Sequence, residues 1–167
     1  MSWTDSRVFR AWPLAILGQG QTAAVLPAGY AGLGADTVKV ALFNNSVTPD
    51  KDAALTSTGF NTGTWTTGNQ VTDATNWVSG GRALSSKTLS APSTGVVMFD
   101  AADLSGGGAV TLSNAFGCLV YDDTITAGTG GIADQGISFN YFGGAQSVTA
   151  GTFTIVWNAS GIAQITV

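Results

Sequence analysis

The sequence predicts an all-β protein, an antiparallel β-sandwich or jelly-roll-like domain with an extended N-terminal arm. Three observations predict it. The ten acids are all Asp, with no Glu and no His, beside three Lys and three Arg in 167 residues. Glu and Lys support helices, whereas Thr, Val and aromatic residues suit sheets. Twenty-three glycines supply the tight turns that short strands need. Finally, stretches with period-2 apolar patterning recur every 10–15 residues or so, about eight in all.

Residues 1–34 read as the arm and residues 35–167 as the sandwich domain. The arm mixes aromatics, Pro13, Pro27 and glycines without sustained periodicity. A short helical turn is expected around Asp5 to Trp12, ending before Pro13. Arg7 and Arg10 followed by AWPLAIL resemble a secretion signal, but Pro13 interrupts the apolar run and argues against one. No stretch approaches the ~18 apolar residues of a membrane-spanning helix.

From Asp36 the strand pattern begins. Thr37 to Phe43 alternates and ends in the turn cluster Asn44-Asn45-Ser46. A helical turn is expected over Lys51 to Leu55, and a long Thr/Gly/Asn loop over 56–70. After the Gly80-Gly81 break, RALSSKTLS (82–90) and GVVMFD (95–100) read as strands, and Val110 to Leu112 as a brief pairing. Phe116 to Tyr121 is apolar on both faces and reads as a central strand. Gly136 to Phe142 is the next strand, with a turn at Gly143-Gly144. Phe153, Ile155 and Trp157 alternate with Thr152, Thr154 and Val156, and Asn158 to Gly161 is a turn. Ile162 to Val167 reads as a returning strand, so the chain is expected to close with a hairpin lying in the middle of a sheet.

The chemistry of catalysis is sparse. Without His or Glu there is no Ser-His-Asp or Cys-His arrangement, and one Cys without His makes no zinc site. Cys118 sits in the apolar run Phe116 to Val120 and reads as a small buried hydrophobe. Asp50/Asp52, Asp100/Asp103 and Asp122/Asp123 each stand where a strand meets a turn, which suits turn-building better than calcium binding or acid–base work. The glycine runs SGGG and GTGG lack the following Lys of a phosphate loop. The expectation is no enzyme and no cofactor. A net charge of −4 with scattered cations argues against nucleic acid.

Charged residues make up 10 % of the chain, against about 25 % in ordinary domains. Such a surface is poorly solvated, and cover by sister subunits is one resolution. Trp3, Phe9, Trp12, Leu14, Ile16 and Leu17 in the arm are candidates for anchoring on a neighbouring subunit, with folding back on the same chain as the alternative. Trp65 and Trp77, on loops, are candidate platforms for a sugar or a partner, or else pack beneath their own loops.

Five stretches in order, DTVKVALFNNSVTPDKDAAL (36–55), WVSGGRALSSKTLS (77–90), VMFDAADL (97–104), FGCLVYDD (116–123) and SFNYFGGAQSVTAGTFTIVWNASGI (138–162), resemble a family of small structural proteins encoded among the head and tail genes of tailed bacteriophages. The resemblance covers nearly all of residues 36–167. It implies a non-enzymatic virion component: a capsid cement or decoration protein on the capsid exterior, a homo-oligomer whose partners are the major capsid protein and other copies of itself, with no nucleic acid and no membrane. A tail or fibre component, and a carbohydrate-binding module using the loop tryptophans, are the alternatives.

Overall fold

The computed structural model describes residues 3–16, 27–126 and 131–166. The chain is all-β and sandwich-like, with antiparallel sheets. The strands are β1 (Arg7–Val8), β2 (Val38–Phe43), β3 (Gln70–Val71), β4 (Arg82–Ala83), β5 (Thr88–Ser93), β6 (Val96–Asp100), β7 (Leu104–Ser105), β8 (Val110–Asp122), β9 (Gln135–Gly151), β10 (Thr154–Ile155) and β11 (Ala163–Thr166). One short helix, α1 (Ala11–Ile16), lies near the N-terminus.

The main sheet runs β1-β9-β8-β2-β3, with β4 also pairing β2. β8 is central, as its two-sided apolar pattern predicts: Val38 to Phe43 pairs on one side and β9 on the other. Register then assigns the faces, because opposed residues share a side. One side carries Ala41, Phe43, Leu119, Tyr121 and Phe139. The other carries Val38, Val40, Leu42, Cys118 and Val120. All ten are buried in one continuous core, which also takes in Phe99, Leu104, Ile155 and Ala163 from the smaller sheets and Ile162 just before β11.

The first face is sealed by aromatic rings. Trp65 lies within 5.2 Å of Phe43, 5.7 Å of Trp3 and 5.9 Å of Phe9, all edge-on. Phe9 meets Phe139 at 5.3 Å, and Phe60 stacks on Tyr121 at 5.1 Å. Such pairs add about 0.5–1.5 kcal/mol each beyond their burial. Gly117 makes room for this cover: a Cβ there would lie 2.5 Å from the ring of Trp3 and 2.5 Å from the Asn140 carbonyl.

The described N-terminal residues 3–12 therefore pack onto the sheet. Trp3, Phe9 and Trp12 are buried in the same core as β8, and β1 pairs with β9 through Arg7–Phe139 and Val8–Ser138. Their large apolar surfaces find their cover within the chain. The helix expected before Pro13 instead contains it. Proline is tolerated there because the first turn of a helix has no intrahelical use for its N–H. The turn expected over Lys51 to Leu55 appears later, as a 3₁₀ turn at Leu55–Ser57.

Two further expectations fail. The Gly143-Gly144 turn is absent, and β9 runs on to Gly151 with a bulge. Gly117 opposes Tyr141 and Ala115 opposes Gln146, so two steps on β8 face five on β9. Gly143 at φ +79° and Gly144 at φ +153° absorb the extra length. The closing hairpin is absent too. β10 pairs with β7, while β11 pairs with β6 at the edge of the sheet β11-β6-β5. The turn at Asn158 is real, with Gly161 N–H donating to the Asn158 carbonyl at 2.8 Å. It carries the chain from one small sheet to another, and alternation within a strand does not encode which strand it pairs with.

Candidate functional site

Two surface features stand out, and neither lies where the sequence placed its candidates. Trp65 and Trp77 are 1 % and 0 % exposed. Trp77 sits edge-on to Phe153 at 5.5 Å. Both loops fold over their own tryptophans, because a ring of that size gains most by joining a core already at hand. Neither is a stacking platform in this fold. Trp3 is likewise buried and donates Nε1–H to the Asn44 carbonyl at 3.0 Å. Trp3, Phe9 and Trp12 are thus no free anchors for a neighbour. Leu14 and Ile16 are half-buried, and Leu14 lines a shallow groove of about 290 Å³ with Arg10, Ala15 and Leu55. Leu17 lies outside the described residues.

The first feature is a groove of about 620 Å³ between the β1/β9 edge and the 155–164 segment. Val8, Asn140, Tyr141 and Phe142 form one wall, and Ile155, Trp157 and Ile162 belong to the other. Trp157 is fixed by two bonds: its backbone N–H donates to Asp103 Oδ1 at 3.1 Å and its Nε1–H to the Ala102 carbonyl at 3.2 Å. Arg7 and Tyr141 are the ionisable side chains of the lining, and Arg7 is held by Asp5 at 2.8 Å. The groove offers apolar walls and amide groups, a lining suited to binding and without a carboxylate pair for acid–base catalysis.

The second feature is the outer sheet. Every residue of β5 is exposed, and among the described residues β5 pairs with β6 alone. Register puts Leu89, Phe99 and Ala163 on one side, together with Val97 and Ile165. Phe99 and Ala163 enter the core, whereas Leu89 is 57 % and Val97 45 % exposed. Val156, on the rim of the groove, is 72 % exposed. The sequence shows these as ordinary strand residues. Only the topology reveals that β5 and β11 are both edge strands of their sheet among the described residues.

The acids take up local duties. Asp73 accepts backbone N–H groups of Thr75, Asn76 and Thr111, each at 3.0 Å, and these bonds hold its carboxyl below the usual range. Asp50 accepts from Asp52 N–H, Asp122 from Thr124 N–H, and Asp123 pairs with Lys39 at 2.8 Å. No group of three His, Cys, Asp or Glu gathers to hold a metal among the described residues. Cys118 is fully buried and desolvation pushes its thiol up to about 12, so it is the inert hydrophobe that its apolar run predicts. No described helix is long and apolar enough to cross a membrane.

No protein-family model matches the chain, and no match is found among curated proteins or among solved structures.

Proposed function

We propose that the chain is a structural component of a bacteriophage particle, a decoration protein that binds the outside of the capsid shell and bridges neighbouring subunits. The reading joins the resemblance carried by residues 36–162 to one structural observation: a strand open along one edge, beside apolar side chains that a solitary molecule leaves in water. Open edges recruit further strands, and exposed apolar patches mark contact surfaces. A chain with 10 % charged residues does little to oppose such contacts.

The mechanism follows from where rigidity and exposure lie. The aromatic-sealed sheet is the rigid body. The β5 edge with Leu89, and Val97 of β6 beside it, is the contact surface. Many copies on one lattice would convert weak single contacts into tight occupancy, and closed symmetric oligomers are the common form of such modules.

The test is direct. Gold-labelled antibody on intact heads and detached tails locates the protein. Label on the heads supports the reading, and label on the tails alone replaces it with a tail component. Changing Leu89 and Val97 together to Asp should abolish uptake by capsids lacking the protein while the far-ultraviolet circular dichroism stays native. Normal uptake of that variant rules out the β5 edge as the contact.

A further inference from the structure

The larger groove continues beyond its own walls. A second hollow of about 390 Å³ adjoins it and shares Tyr141, Phe142, Ile155 and Val156 with it. Phe153 and Gln146 belong to the second hollow. Both volumes fall in the range of about 300–1,000 Å³ that small-molecule sites occupy. Together they form one elongated cleft, bounded by the β1/β9 edge and by residues 153–164. Such a shape suits a chain-like ligand better than a compact one.

Four aromatic rings line this cleft, and each is both half-buried and held in place. Tyr141 stacks on Trp3 at 6.4 Å. Phe142 and Phe153 meet edge-on at 6.1 Å, and Trp77 braces Phe153 at 5.5 Å. Trp157 commits its Nε1–H to the Ala102 carbonyl. The indole has no other donor, so what it offers a ligand is a ring face. Rings already fixed lose little freedom when a ligand settles on them.

Beside the rings stand the carboxamides of Asn140, Asn158 and Gln164 and the hydroxyls of Ser6 and Ser160. Asn158 Oδ1 accepts the Ser160 N–H at 2.9 Å, so the N–H₂ end of that carboxamide is the one available to a ligand. Gln164, on β11, is exposed. Among the described residues no carboxylate lines either hollow, and Arg7 is neutralised by Asp5 at 2.8 Å. A charged ligand therefore finds no uncompensated partner in the cleft. A purely apolar ligand would cover the carboxamides without satisfying them. A pyranose sugar meets both demands, with a C–H face that packs on aromatic rings and a rim of hydroxyls that donate to and accept from carboxamides.

We propose that this cleft binds a neutral glycan chain, with Trp157 as the principal stacking face and Asn158 and Gln164 bonding the sugar hydroxyls. The glycan is held and not cut, because glycoside hydrolysis needs a pair of carboxyl groups flanking the bond and the lining supplies none. β5 contributes no residue to the cleft, so the inference does not depend on the proposed contact with a capsid. The sugar-binding chemistry that the sequence assigned to Trp65 and Trp77 thus moves to a tryptophan on the opposite side of the core's boundary, one that its own loop leaves partly in water.

A printed array of neutral glucans, galactans, mannans and xylans, probed with the whole chain, tests it, followed by calorimetry with the oligosaccharide retained. At least one of these glycans should bind, with the same affinity at about 0.05 M and about 0.5 M salt, as expected for an uncharged ligand. Trp157→Ala should weaken binding about tenfold or more, and Trp157→Phe, which keeps a ring, should restore much of it. Gln164→Ala should weaken binding about three- to tenfold. If Trp157→Ala does not fold, Gln164→Ala decides, since its side chain is exposed. The recovered oligosaccharide should be intact. Silence across the whole array overturns the proposal. So does a glycan bound equally well by the wild type, Trp157→Ala and Gln164→Ala, or one displaced from the wild type by salt.

Discussion

The two ends of this molecule treat the same kind of residue in opposite ways. Around Trp65, four aromatic side chains from β2, β9 and the N-terminal segment shut out water. In the sheet β5-β6-β11, apolar residues alternate just as regularly, yet Leu89 and Val97 remain largely in solvent. The difference lies in the number of layers. The main sheet is covered by a segment remote in sequence, whereas the far end of the outer sheet has no further element among the described residues to cover it. A nearly uncharged chain thus encloses its large rings in one region and leaves apolar side chains in solvent in another.

That contrast can be broken by mutation. Trp65→Ala should destabilise most, by about 3–5 kcal/mol, because it opens a large cavity among Trp3, Phe9, Phe43 and Phe139; urea denaturation measures the loss. Gly117→Ala comes next at about 1–3 kcal/mol, since the new methyl group collides with the Trp3 ring and with the Asn140 carbonyl, which cannot withdraw without distorting β9. Its signature should be a change in near-ultraviolet circular dichroism as Trp3 is displaced. Leu89→Ser with Val97→Ser should move stability by about 0.5 kcal/mol or less, as expected for exposed positions, and should raise the concentration at which the protein self-associates in sedimentation. A destabilisation by the serine pair as large as that of Trp65→Ala would erase the distinction between the two ends.

Cys118 sharpens the comparison from the inside. It lies on the side of β8 turned away from the aromatic rings. A thiol held up to about 12 by burial should resist disulfide-exchange reagents near neutral pH until the sheet opens. Labelling in native buffer at the rate of an exposed cysteine would show that the second face is open to water.

What the sequence disclosed and what it withheld follow from the range of the interactions concerned. β2 and β6 were legible because their patterning is local, the core of β8 because its apolar run marks both faces as buried, and the turn roles of Asp50 and Asp122 because an Asp bonds a backbone two residues on. Pairing partners are set by contacts far apart in the chain, so the separation of β10 from β11 was invisible. The bulge at Gly143-Gly144 was misread as a turn because both conformations ask glycine for positive φ. The tryptophans were rightly singled out by size, but nothing local says whether a large ring faces in or out.

The placement of Trp157 makes the chain its own optical gauge. Trp3, Trp12, Trp65 and Trp77 are enclosed, whereas Trp157 is half-buried on the wall of the larger groove. A molecule settling there would alter the emission of a single indole without disturbing the other four, and unfolding would shift all five to the red together. Occupancy and integrity can thus be followed in one cuvette, with no dye attached.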